Sequence, residues 1–262
     1  MSAQSEGKMT ARLDFSGTRA FVTGGSRGIG RAIALEFAKS GARVAINYLR
    51  NKATAEATLR ELEEFGSGHL LVKGNVAEED RVHGMFEAIE AAWGGLDILI
   101  SNAASGVLKP AMELTMKHLH WTLDINAGAL LPLAQHAVRL MASGHGHIVA
   151  VSSLGATRAL PNYFAVGASK GALESMIRHL MVELAPRGIN VNAVSAGLVD
   201  TDALTHFPNR EEMLSGAIHR TPSGRLTTPQ DVANAVLFLC SRYASQIHGQ
   251  TLVIDGGSSV LA

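Results

Sequence analysis

Apolar runs alternate with helical patterns from one end of the chain to the other. Short runs rich in Val and Ile fall at about 19–23, 42–47, 69–73, 96–101, 146–152, 189–194 and 250–254. Several do not alternate polar with apolar, which is how strands buried on both faces read. Between them, apolar positions recur at helical spacing over 28–40, 52–65, 78–92, 115–142, 162–185 and 229–241. This β-α-β alternation predicts an α/β fold: one doubly wound, Rossmann-like domain with a seven-stranded parallel sheet, flanking helices and right-handed crossovers. No repeat, low-complexity stretch or linker interrupts it, so residues 13–262 are expected to form one domain behind a loose polar tail at 1–12.

Two places break the rhythm. Pro132 falls inside the 115–142 pattern and predicts two helices or a kink there. The stretch 198–228 holds Pro208, Gly216, Pro222 and Gly224 and has no clear period. A segment this long without a period is expected to be a lid or binding loop, here for substrate.

Composition narrows the function classes. The chain has 262 residues, 47% of them hydrophobic and 18% charged, enough for a large core and too apolar for global disorder. Lys+Arg and Asp+Glu both number 23, which argues against a nucleic-acid binder held by phosphate contacts. The single cysteine, Cys240, excludes an internal disulfide and a Cys-based zinc site, and points to a reducing, cytoplasmic compartment. The polar N-terminus has no apolar core of a secretory signal, and no run of 18 apolar residues predicts a membrane span. His145 and His147, like His118 and His120, lack a third ligand at suitable spacing, so no metal is expected.

The first strand runs into Thr23-Gly24-Gly25-Ser26-Arg27-Gly28-Ile29-Gly30 and then a helix. Gly24 permits a tight turn, Gly28 lets backbone approach a pyrophosphate, and Gly30 lets the helix pack close to the sheet. The helix start then offers free N–H groups and a positive dipole end to an anion. Strand before and helix after are the context that gives such a turn meaning. After the second strand, where NAD-binding proteins commonly carry a carboxylate for the ribose 2′-hydroxyl, the chain reads Asn47-Tyr48-Leu49-Arg50-Asn51-Lys52, with no acid. Arg50 is suited to pair with a 2′-phosphate, and Arg27 can reach the same group; the bland alternative is two solvated arginines. NADPH is the expected cofactor.

The spacing T-G-x-x-x-G-x-G resembles that of the short-chain dehydrogenase/reductase family, and the likeness runs from about residue 14 to 260. The resemblance implies further roles in chain order. Asn75 and Val76 match the adenine contact, and Ser101-Asn102-Ala103-Ala104 matches the family's N-N-A-G, giving Asn102 and Ala103 as cofactor residues. Asn126 matches a structural or catalytic asparagine. Gly197, Val199 and Thr201 match the segment around the nicotinamide, although Ala196 replaces the usual proline. Asp255-Gly256-Gly257 matches the C-terminal V-D-G-G. A homotetramer built on the 115–142 and 162–185 helices is usual in the family.

The family's common members carry a serine, then Tyr-x-x-x-Lys on one helix. Lys170 and Ser153 match, but Val166 stands where the tyrosine would be, and the nearest tyrosine is Tyr163, seven residues before Lys170. Seven residues is close to two turns, so both can share a helix face. Their axial separation would be about 10 Å, against about 6 Å for a spacing of four. A ketone takes hydride on the carbon bonded to its oxygen. An α,β-unsaturated thioester takes it on C3 while its oxygen sits on C1, so a displaced acid suits the second geometry. Tyr-x6-Lys also resembles the enoyl-acyl-carrier-protein reductases. Ser152-Ser153-Leu154-Gly155, Asn162-Tyr163, Thr201-Asp202-Ala203-Leu204 and His206-Phe207-Pro208-Asn209-Arg210 resemble their NADPH-dependent type III.

The resemblance implies reduction of trans-2-enoyl thioesters of acyl carrier protein or CoA, in fatty acid biosynthesis or a related polyketide-type pathway. Tyr163 and Lys170 would be catalytic, with Ser153 either touching substrate or only orienting its loop. Asn126 either leads toward Lys170 or sits at a helix kink. His206, Phe207, Met213, Leu214 and Ile218 are expected to cover the acyl chain. Arg210, Arg220 and Arg225 either meet an acidic carrier or are ordinary surface arginines. Met176 and Met181 are read as core or subunit contacts. A carbonyl reductase and a non-catalytic NADPH-binding protein are the rival readings.

Overall fold

The computed structural model describes residues 13–142, 144–199 and 210–261. Seven parallel strands form one sheet in the order β3-β2-β1-β4-β5-β6-β7. They are β1 (Arg19–Val22), β2 (Arg43–Tyr48), β3 (Leu70–Lys73), β4 (Ile98–Ser101), β5 (Gly146–Ser153), β6 (Ile189–Ala196) and β7 (Thr251–Ile254). Each lies within two residues of the run that predicts it. The helices are α1 (Gly28–Lys39), α2 (Lys52–Glu63), α3 (Glu79–Trp93), α4 (Met116–Leu123), α5 (Leu130–Leu140), α6 (Phe164–Leu184), α7 (Arg210–Arg220) and α8 (Pro229–Leu239).

The strands are rich in apolar residues because both faces of the inner strands are covered, and their two-residue period sorts side chains between two cores. Phe21, Ile148, Ala150, Val191 and Ala193 enter one core with α3, α5 and α6. Val22, Val149, Val151, Val194 and Ala196 enter the other with α1 and α8. Met176 and Met181 pack against the first core. Strand order reverses between β1 and β4, so the C-terminal strand ends open a crevice there. No helix among the described residues is long and apolar enough to cross a membrane.

Two expectations are corrected. The 115–142 pattern does break, but at a π-helical turn over Asp124–Gly128 and not at Pro132. Pro132 lies in the first turn of α5, where a missing N–H removes no helical hydrogen bond. The 198–228 stretch is not all loop. It contains α7, and a bridge between Val199 and Thr227 closes its base. Residues 1–12 and 200–209, with Thr201, His206 and Phe207 among them, lie outside the described residues.

Candidate active site

The glycine turn leaves β1 at Thr23, whose buried hydroxyl organises three chain segments. Its Oγ1 donates to the Ile100 carbonyl (3.2 Å) and accepts from the N–H groups of Asn102 (2.9 Å) and Ala103 (3.0 Å). Asn102 returns the contact, donating from Nδ2 to the carbonyls of Thr23 (2.9 Å) and Gly24 (3.2 Å). From the other side Asn47 Oδ1 accepts from the Gly24 N–H (3.2 Å), while its Nδ2 donates to the Gly74 carbonyl (2.9 Å). Thr58 Oγ1 donates to the Ser26 carbonyl (3.0 Å). The turn is thus held from β2, β4 and α2 before any ligand arrives.

This frame fits a dinucleotide pyrophosphate. A Cβ on Gly30 would fall on Asn102 Nδ2 and the Gly24 carbonyl oxygen, so only glycine lets α1 start this close to the turn. Gly28 has φ +54°, in the left-handed region. Helix α1 has no side-chain cap and no acid in its first turn, so its free N–H groups face the crevice uncompensated. Ile29 is half-buried and packs against the second core, anchoring the helix start.

The remaining cofactor candidates divide. Arg27 and Arg50 are exposed and, among the described residues, pair with no carboxylate, which leaves both guanidiniums open to a phosphate. Asn75 spends its amide at the start of α3, where Nδ2 donates to Glu78 (2.8 Å) and Oδ1 accepts from the Ala77 N–H (3.2 Å). Val76 is buried in the first core. A Cβ on Gly197 would stand 3.0 Å from Asp255 Cβ, so this glycine seats the end of β6 against the segment following β7. Val199 is buried beside it.

Tyr163, Ser153 and Lys170 converge on the last three residues of β5. Lys170 Nζ donates to the Val151 carbonyl (2.8 Å), and Tyr163 Oη lies 3.2 Å from Ser153 Oγ. Ammonium and phenol are therefore anchored two residues apart on one strand, about 7 Å at ordinary strand rise. Tyr163 is not helical, contrary to the pattern that begins at 162. It is the N-cap of α6, follows Asn162 with φ +60°, and its carbonyl accepts the first bond of the helix, from Gly167 N–H (2.7 Å). Ser153 Oγ also accepts from the Gly155 N–H (3.2 Å) and so orients the loop.

The Tyr163 ring lies against Gly155. A Cβ there would be 2.6 Å from ring Cδ1 and closer still to Cε1. Val166, at the position four before Lys170, is buried against Gly106 and brings no hydroxyl. The Asn126 side chain bonds on both sides of its turn. Its Oδ1 accepts from the Ser105 N–H (2.8 Å) and its Nδ2 donates to Ser169 Oγ (3.0 Å), tying the π-turn between the segment after β4 and α6.

Burial sets the protonation states. It raises the Tyr163 phenol above its ordinary value, against an opposing pull from the Ser153 hydrogen bond, so the phenol stays a proton donor at neutral pH. It pushes Lys170 down to about 8, with the Glu174 carboxylate pulling the other way. Arg225 pairs with Asp231 at the start of α8, through Nη1–Oδ2 (2.5 Å) and Nη2–Oδ1 (2.9 Å). Arg220, Leu214 and Ile218 lie on α7. The side chains of Arg210 and Met213 lie outside the described residues. Among the described residues no group of three His, Cys, Asp or Glu is placed to hold a metal.

A family model described as enoyl-(acyl carrier protein) reductase matches residues 24–259. The chain is 42% identical over 243 residues to 1-cyclohexenylcarbonyl-CoA reductase of Streptomyces collinus, covering 92% of this chain and 86% of that one. It is 34% identical to the 3-oxoacyl-[acyl-carrier-protein] reductase FabG of Staphylococcus aureus, with 91% and 96% covered. The crystal structure of a dehydrogenase/reductase from Sinorhizobium meliloti superposes with a TM-score of 0.88 at 32% identity, covering 94% of this chain and 97% of that one.

Proposed function

The chain belongs to the short-chain dehydrogenase/reductase family of oxidoreductases, whose fold binds a nicotinamide cofactor, and from that premise we propose that it reduces the C2–C3 double bond of trans-2-enoyl thioesters with NADPH. The observation that carries this reading is the inward Tyr163 phenol, seated on Ser153 while Val166 occupies the position four before Lys170. The thioester carrier is acyl carrier protein or CoA, as in fatty acid biosynthesis. The named activity of the Streptomyces relative supports the CoA form and a double bond conjugated to the thioester.

When bound, NADPH supplies a hydride to C3 of the substrate. The chain holds it with the Gly24–Gly30 turn and the open N-terminus of α1 at the pyrophosphate, and Arg50 with Arg27 at the 2′-phosphate. Lys170 takes the ribose hydroxyls. As the family pattern implies, Asn75 and Val76 would meet the adenine, Asn102 and Ala103 would sit beside the turn, and Gly197 and Val199 would meet the nicotinamide, a role the pattern also gives Thr201. Tyr163 Oη donates a hydrogen bond to the thioester oxygen as negative charge collects there, and Ser153 holds that hydroxyl in place. A proton reaches C2 by way of the enol or water. Exposed Leu160 and Phe164 flank Tyr163 and give an acyl chain an apolar approach.

Two results follow for the cofactor end. Arg50→Glu replaces a phosphate partner with a repelling charge, so kcat/KM for NADPH is expected to fall about 10- to 100-fold, with NADH gaining relative to it. Steady-state rates with both cofactors check this, and an unchanged ratio removes Arg50 from cofactor choice. With Lys170 at about 8, raising the pH strips its proton and weakens its hold on the ribose. A pH profile of kcat/KM should therefore be level near neutrality and fall above about pH 8; a profile level to pH 10 contradicts the role.

The hydroxyls of Ser153 and Tyr163, 3.2 Å apart, also suit one ketone oxygen, which favours carbonyl reduction as the second reading. NADPH consumption with crotonyl-CoA and with acetoacetyl-CoA separates the two. Turnover of the first alone supports the enoyl reading, and of the second alone the carbonyl one. Silence with both, despite tight NADPH binding, points to a non-catalytic binding protein.

A further inference from the structure

We propose that Glu174 is a positioning residue for Lys170: a buried carboxylate, clamped by Ser152, that keeps the neighbouring amine in its ammonium form. The inference deepens the proposed function and rests on its placement of Lys170 at the cofactor ribose.

Three consecutive residues at the end of β5 each hold one group of the site. The Val151 carbonyl takes Lys170 Nζ, Ser152 Oγ donates to Glu174 Oε1 at 2.6 Å, and Ser153 Oγ meets Tyr163 Oη. Glu174 lies one turn after Lys170 on α6, and both are buried, at 7% and 6% exposure. A carboxylate this far from water is costly unless it compensates a charge and is hydrogen-bonded. Ser152 supplies the hydrogen bond, and the compensating charge is that of Lys170 one turn earlier, acting through space rather than as a direct ion pair. Among the described residues the ammonium otherwise meets the neutral Val151 carbonyl alone, which does not offset the loss of water around it.

The elements packed on α6 are β5, β6, α4, the π-turn and the short turns at Leu154–Ala156 and Ala185–Arg187. Strand β6 and the Leu154–Ala156 turn carry no titratable side chain. Lys117 and His120 of α4, Asp124 of the π-turn and Arg187 are exposed; His118 is half-buried, and His147 begins β5 at its far end. On α6 itself Arg178, His179 and Glu183 are exposed. Tyr163, neutral and anchored on Ser153, faces the same end of β5. Among the described residues, the charge that acts on Lys170 is that of Glu174.

The test is Glu174→Gln, which keeps an acceptor for Ser152 and removes the charge. Lysine side-chain NMR on the cofactor-free, full-length protein follows the Lys170 titration directly, its signal identified by loss in Lys170→Met. The midpoint is expected to move about one unit toward acid, and the alkaline limb of kcat/KM to move with it. An unmoved NMR midpoint in a folded Glu174→Gln protein overturns the proposal. A midpoint that moves while the limb does not supports Glu174 as the partner of Lys170 and counts instead against the proposed role of Lys170 in turnover. Ser152→Ala, which releases the clamp and leaves the carboxylate, is expected to shift the midpoint the same way by less. Should Glu174→Gln not fold, an unmoved midpoint in Ser152→Ala overturns the proposal.

Discussion

Tyr163→Phe is expected to lower kcat by about 100- to 10,000-fold while leaving NADPH binding intact. The variant keeps the ring against Gly155 and removes one oxygen, so packing and the first bond of α6 survive. What is lost is the donor at the thioester oxygen, the place where charge grows as C3 is reduced. The affinity for NADPH is set elsewhere, by the glycine turn, Arg50 and Lys170. Fluorescence titration of NADPH and single-turnover kinetics on the same sample separate the two effects. Near-wild-type turnover would remove Tyr163 from the chemistry and leave that role to Ser153, the hydroxyl it touches.

Gly155→Val acts on the same hydroxyl without touching it. Its first side-chain carbon would stand 2.6 Å from Tyr163 Cδ1, a distance no non-bonded pair tolerates, so the ring must turn away. The displaced phenol then loses Ser153, at 3.2 Å in the native arrangement. A misplacement of about 1 Å at a catalytic group costs on the order of 100-fold, and kcat should fall by at least that much. Half-buried Gly155 is followed by the exposed Thr157 and Arg158, so Tm should change by only a few degrees. A large drop in Tm with kcat per folded molecule unchanged would show that Gly155 serves the fold and not the phenol.

Part of this arrangement is legible in the chain and part is not. The strands were legible because burial on both faces leaves little room for polar residues. The glycine turn was legible because close backbone approach admits few residue types. Tyr163, Ser153 and Lys170 were expected together, and the structure brings them together. The helix break was misplaced at Pro132 because a proline in a first helical turn looks, in sequence, like one in mid-helix. The real break depends on Asn126 reaching Ser105 and Ser169, contacts distant in the chain.

Helix α7 was missed inside 198–228 because REEMLSGAIHR has a weak apolar face and a central glycine. The supporting roles of Thr23, Asn47 and Gly155 come from the fold. A polar residue in a strand signals a buried partner, but only the fold names that partner. Asn47, directly after the apolar run Val44–Ile46 of the second strand, was the available signal.

The central claim is that hydride lands on a carbon remote from the oxygen that Tyr163 serves. NADPH deuterated at nicotinamide C4, given to the enzyme with equimolar crotonyl-CoA and acetoacetyl-CoA, tests it in one vessel. The account predicts butyryl-CoA carrying deuterium at C3, with acetoacetyl-CoA left unreduced. Deuterium found instead in 3-hydroxybutyryl-CoA, on the carbon bearing the new hydroxyl, with crotonyl-CoA untouched, would contradict it.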